Sequence, residues 1–136
     1  MYYVSEDMRK IRPQRVWELL QQSYWADKRS PEKVRTAMEH SVCFGVFDDA
    51  TEEMVGFARV ISDFATTWYL CDVIVDEAHR HCGIGKMLTA HITADPRFRD
   101  IFGMLLTRDA HGLYEKVGFR SKESIYMGRD GKRFGE

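Results

Sequence analysis

Residues 68–75, Trp-Tyr-Leu-Cys-Asp-Val-Ile-Val, are rich in aromatic and β-branched side chains and apolar on both faces of a strand. Such a strand is central in its sheet and buried on both sides. The chain then runs through Asp76-Glu77-Ala78-His79-Arg80 into His81-Cys82-Gly83-Ile84-Gly85-Lys86. Ile84, Met87, Leu88, His91 and Ile92 follow at helical spacing, so a helix begins close to Gly83, and Asp95-Pro96 ends it. A buried strand feeding a glycine-started helix is the unit around which the rest must be arranged.

The flanking segments supply the other elements. Tyr2 to Glu6 reads as a short first strand. Pro13 suits the first turn of a helix, whose apolar face is Val16, Trp17, Leu19 and Leu20, through about Gln22. Ser30-Pro31 starts a second helix, to about His40, with Val34, Ala37 and Met38 inward. Val42 to Phe47 and Met54 to Ile61 form a hairpin around the polar cluster at 48–52. Gly103 to Thr107 is a further strand, Ala110 to Val117 a short helix stopped by Gly118, and Ser124 to Met127 a last β segment. The order β, α, α, β, β, β, α, β, α, β predicts an α/β (α+β) fold. Its mixed sheet is antiparallel in the N-terminal half and parallel later, and is flanked by helices.

The length, 136 residues, fits one domain spanning 1–136. A net charge of −1, from 20 basic and 21 acidic residues, argues against a strongly basic nucleic-acid binder. Cys43, Cys71 and Cys82 include no C-x-x-C pair, so neither a disulfide framework nor a zinc site is expected. His79, His81 and His91 have no ligand spacing, and no metal is expected. No signal-peptide pattern or stretch of ~20 apolar residues is present, which leads to the expectation of a soluble, cytoplasmic protein without a membrane partner.

Arg80 to Gly85 reads R-x-x-G-x-G. The first N–H groups of a helix lack intrahelical partners, and the helix dipole adds positive charge there. With no side chains at Gly83 and Gly85, a bulky anion such as pyrophosphate can approach the backbone. Two familiar phosphate loops are excluded: Lys86 is followed by Met87 rather than a hydroxyl, and Leu88 stands where a third glycine is needed. On its own the pattern serves equally as a glycine-softened helix start.

A second motif, A-x-x-x-Y-x-K-x-G-F from Ala110 to Phe119, follows the next strand. With both motifs in order on these elements, the chain resembles the GNAT superfamily of acyl-CoA-dependent N-acyltransferases. "SYWADKRS" (23–30), "GFARVISD" (56–63) and "LCDVIVDEAHR" (70–80) are similar to a bacterial-type subgroup of small members.

The resemblance implies acetyl-CoA as co-substrate, held in a gap where strand 68–75 splays from strand 103–107. The pantetheine arm would bond to the backbone of Val73, Ile74 and Val75. The pyrophosphate would sit on Arg80, His81, Cys82, Gly83, Ile84, Gly85 and Lys86. Thr107 stands where the family often has a cofactor-contacting asparagine. Tyr114 would be the general acid that protonates the departing thiolate; its other role is a half-buried tyrosine covering its helix. Asp72, polar within an apolar strand, would act as base, bind the substrate's cation, or serve as a hydrogen-bonded structural residue. Asp63 is a weaker acceptor-binding candidate, and His111 a further base. Tyr24, Trp25 and Arg29 would wall the acceptor pocket, where an arginine with two aromatics suits a carboxylate-bearing or planar acceptor. Trp25 equally suits a core plug.

The implied activity is acetyl transfer from acetyl-CoA to a primary amine of a small molecule by direct attack in a ternary complex. The alternatives are a non-catalytic CoA-binding sensor and a protein lysine or N-terminal acetyltransferase. The short C-terminal strands leave a sheet edge that a second subunit would complete, so a homodimer is expected.

Overall fold

The computed structural model describes residues 1–122 and 125–131. Five strands form one sheet in the order β1-β2-β3-β4-β5. They are β1 (Tyr2–Ser5), β2 (Val42–Asp48), β3 (Glu53–Ser62), β4 (Thr67–Val75) and β5 (Phe102–Met104). The first four pair antiparallel and β5 joins β4 parallel, as the element order predicts.

Two layers of helix cover the sheet. On one face, Val16, Leu19 and Leu20 of α1 (Pro13–Leu20) and Val34 and Met38 of α2 (Pro31–Glu39) pack with Phe47, Phe57 and Ile74. Pro13 opens α1, and the Ser30 hydroxyl caps α2 by accepting from Lys33 N at 3.1 Å. On the other face, Ile84, Leu88 and Ile92 of α3 (Ile84–Thr93) pack with Phe44, Val46, Ala58 and Leu70. Because β4 contributes to both clusters, it is the doubly buried strand that its composition demands.

β4 is not regular. Arg59 pairs with Cys71 and Phe57 with Ile74, so Asp72 and Val73 together oppose Ala58. This is a β-bulge, and it slips the side-chain phase by one. Trp68 and Leu70 before it, and Val73 and Val75 after it, all pack on the α3 side. Asp72 takes the strain with φ +55°, a left-handed conformation that aspartate accepts more readily than branched residues do.

Several boundaries differ from expectation. The strand expected over Gly103 to Thr107 ends at Met104, because β5 meets β4 only opposite Thr67–Tyr69. Gly103 lies under the indole of Trp68, where an added Cβ would be 2.5 Å from Trp68 Cε2. The last helix, α4 (His111–Glu115), is shorter than Ala110 to Val117. Gly118 ends it at φ +97°, with Phe119 N donating to Tyr114 O at 3.1 Å and Gly118 N to Glu115 O at 3.2 Å. That pair of bonds is a Schellman closure. A 3₁₀ turn, Glu77–His79, lies between β4 and α3 and was not anticipated. Of the last expected β segment, Ser124 is outside the described residues, and 125–127 form no strand.

Candidate active site

The cleft comes from a sheet that stops pairing. β5 leaves β4 after Tyr69↔Met104, so β4 beyond Tyr69 has no strand on that side among the described residues. The bulge sits in this unpaired stretch. Asp72 buries its side chain to 4% exposure while the residue as a whole is only part-buried, so its backbone is the open part.

α3 starts at the far end of the same strand. Gly83 caps it at φ +78°, ψ 12°, with His81 also left-handed at φ +65°. The first bond of the helix runs from Met87 N to Gly83 O at 3.0 Å, and the preceding N–H groups lie in the unpartnered first turn. A Cβ at Gly85 would point between Leu113 Cδ2 (3.5 Å) and Val75 Cγ2 (4.0 Å), across the gap between α3, α4 and β4. Arg80, His81, Cys82 and Lys86 are exposed around this end. The turn before it is anchored: Asp76 accepts from Ala78 N (3.2 Å) and Arg15 Nη2 (2.8 Å), and Tyr2 Oη bonds His79 Nδ1 at 3.0 Å. An open helix start beside an unpaired strand edge fits the pyrophosphate and pantetheine of a CoA thioester. Among the described residues no group of His, Cys, Asp or Glu is arranged to hold a metal ion. No described helix is long and apolar enough to cross a membrane.

Tyr114 lies on α4, part-buried, with its ring edge-on to Phe119 at 6.1 Å. Burial first, and then the charges of Asp109 and Tyr24, push its phenol up to about 12. Thr107 Oγ1 accepts from Ala110 N at 3.0 Å and so shapes the turn into α4. His111, at the start of α4, is exposed.

Asp72 is the hub of a buried polar cluster between β3, β4 and the α1–α2 loop. Its Oδ2 accepts from Arg29 Nη1 at 2.7 Å and Arg59 Nε at 2.6 Å, and its Oδ1 from Trp25 Nε1 at 3.3 Å. Burial pushes this carboxyl up, but the two guanidinium groups outweigh it and the net shift is downward. A carboxylate so engaged is a weak base and has no charge left for a substrate cation. Its contacts fit the third expected role, a structural anion. Trp25 is part-buried against the α1–α2 core, which fits the core-plug role, and it also donates to Asp72. Tyr24, 46% exposed, meets Trp25 edge-on at 5.1 Å, and Arg108 stacks over Tyr24 at 4.5 Å.

Sequence reading missed Arg59 and Arg108. Arg59 carried a signal, a lone cation inside the apolar run 54–61, but its match to Asp72 depends on the bulge register. Asp63 stands apart from this group. It lies in the β3–β4 turn, where Oδ1 accepts from the N–H groups of Ala65, Thr66 and Thr67 at 2.8–3.2 Å and Oδ2 from Thr66 Oγ1 at 2.6 Å. That is a turn-forming role, at the opposite end of β4 from Val75.

The sequence pattern of the Acetyltransferase (GNAT) family matches residues 13–119, and the chain belongs to that family. A crystal structure of a Xanthomonas campestris protein assigned to the GNAT family superposes with TM-score 0.90 at 36% identity, covering 99% of this chain and 96% of that one. An uncharacterised N-acetyltransferase of Gracilaria tenuistipitata is 31% identical over 97 residues, 68% of this chain and 53% of its own length. The chain thus spans about half the length of the curated relatives it matches. An aminoglycoside 6′-N-acetyltransferase crystallised with coenzyme A shares the fold, with TM-score 0.55 and 23% identity over 66% of this chain and 52% of that one.

Proposed function

We propose that this chain is an N-acetyltransferase that moves an acetyl group from acetyl-CoA to a primary amine of a small molecule. The observation that carries this reading is the juxtaposition of β4's unpaired edge and the open start of α3, with Tyr114 packed against the core that β4 and α3 share. Val73, Ile74 and Val75 would hold the pantetheine arm. The backbone from Arg80 to Lys86 would hold the pyrophosphate, with Arg80 and Lys86 adding charge. Acetyl-CoA supplies an activated thioester and leaves as the free thiol.

The chain's own part is to position, dry and protonate. Trp25, Tyr24 and the Asp72 arginines would orient the amine over the bulge. An amine with pKa near ~8 arrives partly neutral around pH 7 without a dedicated base. Tyr114 keeps its proton, because its pKa is pushed up to about 12, and donates it toward the departing sulfur, while the proton lost by the attacking nitrogen passes through solvent and restores the phenol. An ordinary thiol has a pKa near ~8.5, so complete transfer is uphill in water. The burial that raises the phenol raises a buried thiolate in the same direction.

Free Cys43, Cys71 and Cys82 suit a reducing compartment, so a cytoplasmic location belongs to this reading. A homodimer would form through the β5 edge, where Phe102 is 56% exposed. The test is thiol release from acetyl-CoA over a panel of small amines, with calorimetry of CoA binding. Turnover supports the reading. Tight CoA binding with no thiol release from any amine replaces it with a non-catalytic CoA sensor, and turnover of peptide amines alone replaces it with a protein acetyltransferase.

A further inference from the structure

We propose that the acceptor is an amine that also carries a carboxylate, and that Arg29 is the residue that holds it. This rests on the acetyltransferase reading and names the acceptor class for the same cleft.

The argument begins with a charge count. Asp72 supplies one negative charge to two guanidinium groups, those of Arg29 and Arg59. Among the described residues, Asp72 is the carboxylate within salt-bridge distance of either arginine. Among the described residues, the other groups that flank them are neutral. Burial pushes the Cys43 and Cys71 thiols up to about 11 and raises Tyr69, and Arg59 Nη1 donates to the uncharged Ser41 hydroxyl at 3.2 Å. Among the described residues the cluster therefore holds one more positive charge than negative. Its side chains are only 19% (Arg29), 12% (Arg59) and 4% (Asp72) exposed. A half-buried charge without a counter-charge is costly, and an incoming carboxylate offsets that cost while matching the planar guanidinium fork.

Arg29 is the more accessible of the pair, and it is held ready. Its carbonyl accepts from Trp17 Nε1 at 2.9 Å and its Nη1 is fixed on Asp72, and among the described residues the rest of the fork is left for a ligand. The location is right for an acceptor. Asp72 directly precedes Val73 on the open stretch of β4, and Trp25 bridges Asp72 to Tyr24. Arg108, exposed over Tyr24, adds a second cation on the approach. A dicationic amine finds Asp72 already engaged and two arginines repelling it.

The experiment compares phenylalanine, methionine and glutamate with their C-terminal amides by thiol release from acetyl-CoA. The amides have the more acidic amines and so the larger neutral fraction, which means ionisation cannot create a preference for the acids. The acids are expected to lead in kcat/KM by about 10- to 100-fold, the range for a charge-assisted contact. Arg29→Gln is expected to bring the acid-to-amide ratio to within about threefold of one. Arg29→Lys should fall between, since it keeps the charge and loses the fork. In parallel, the N-acetyl amino acids and their N-acetyl amides are titrated into the CoA complex of the wild-type chain, which needs no variant to fold. Turnover with no preference for the acids overturns the carboxylate site and leaves the acetyltransferase reading standing. Preferential binding of the N-acetyl acids without thiol release from any amine keeps the site and overturns the enzyme. Neither turnover nor preference overturns both.

Discussion

Arg59 on β3 and Asp72 on β4 meet at 2.6 Å across the bulge, with Arg29 reaching the same carboxylate oxygen from the α1–α2 loop at 2.7 Å. One buried anion thus ties the α1–α2 loop to the strand that opens the cleft. Asp72→Asn keeps the shape and suits φ +55°, but strands both cations. Removing one partner of a buried ion pair costs about 3–5 kcal/mol. Urea unfolding of Asp72→Asn should show a loss of that order, and a loss below about 1 kcal/mol would mean that the cluster is solvated.

The same pair sets an acid limit. The Asp72 carboxyl lies below its ordinary value of 3.8 in the folded chain, so its contribution is complete above that value and is lost as pH falls beneath it. Tm of the wild type should therefore fall toward that of Asp72→Asn as pH drops below about 4. Melting curves of both proteins from pH 3 to 7 test this, and a gap that stays constant down to pH 3 rejects it.

Tyr114 should matter for turnover and not for CoA affinity. Tyr114→Phe removes the acid and keeps the ring against Phe119. A kcat loss of roughly 100-fold or more is expected, with the Kd for CoA changed less than about twofold. Because the phenol is pushed up to about 12, it stays protonated to high pH, and it should add no basic limb to kcat between pH 6 and 10. A limb in that range that disappears in the variant would contradict the assignment.

Gly83 and Gly85 should separate cleanly. Gly83 sits at φ +78°, so Gly83→Ala is expected to cost about 1–2 kcal/mol of stability. Gly85→Ala meets only ordinary contacts, 3.5 Å from Leu113 Cδ2, and gains up to about 1 kcal/mol of helix propensity. Its methyl group, however, would stand where α3, α4 and β4 meet, beside the backbone proposed to hold the pyrophosphate. Gly85→Ala should keep or raise Tm while weakening CoA binding about tenfold by calorimetry, and unchanged affinity would move the pyrophosphate elsewhere.

Much of the fold was readable along the chain. The apolar run 68–75, the helical spacing from Ile84 to Ile92 and the proline starts of α1 and α2 depend on neighbours in sequence, and they landed where local chemistry puts them. Gly118 as a helix stop is of the same kind. The partners of Asp72 are not. Arg29, Arg59 and Trp25 are 43, 13 and 47 residues away in sequence, and only a bulge that adds one residue to β4 turns the carboxylate toward them. Asp63, at a strand end, and Asp72, inside an apolar strand, both read as acceptor-binding candidates in the sequence. Tertiary structure makes one a turn residue bonded to its own neighbours and the other the buried hub of a cationic cluster. Charge balance is a property of what packing brings together, so no local pattern could show that two arginines share one buried carboxylate here.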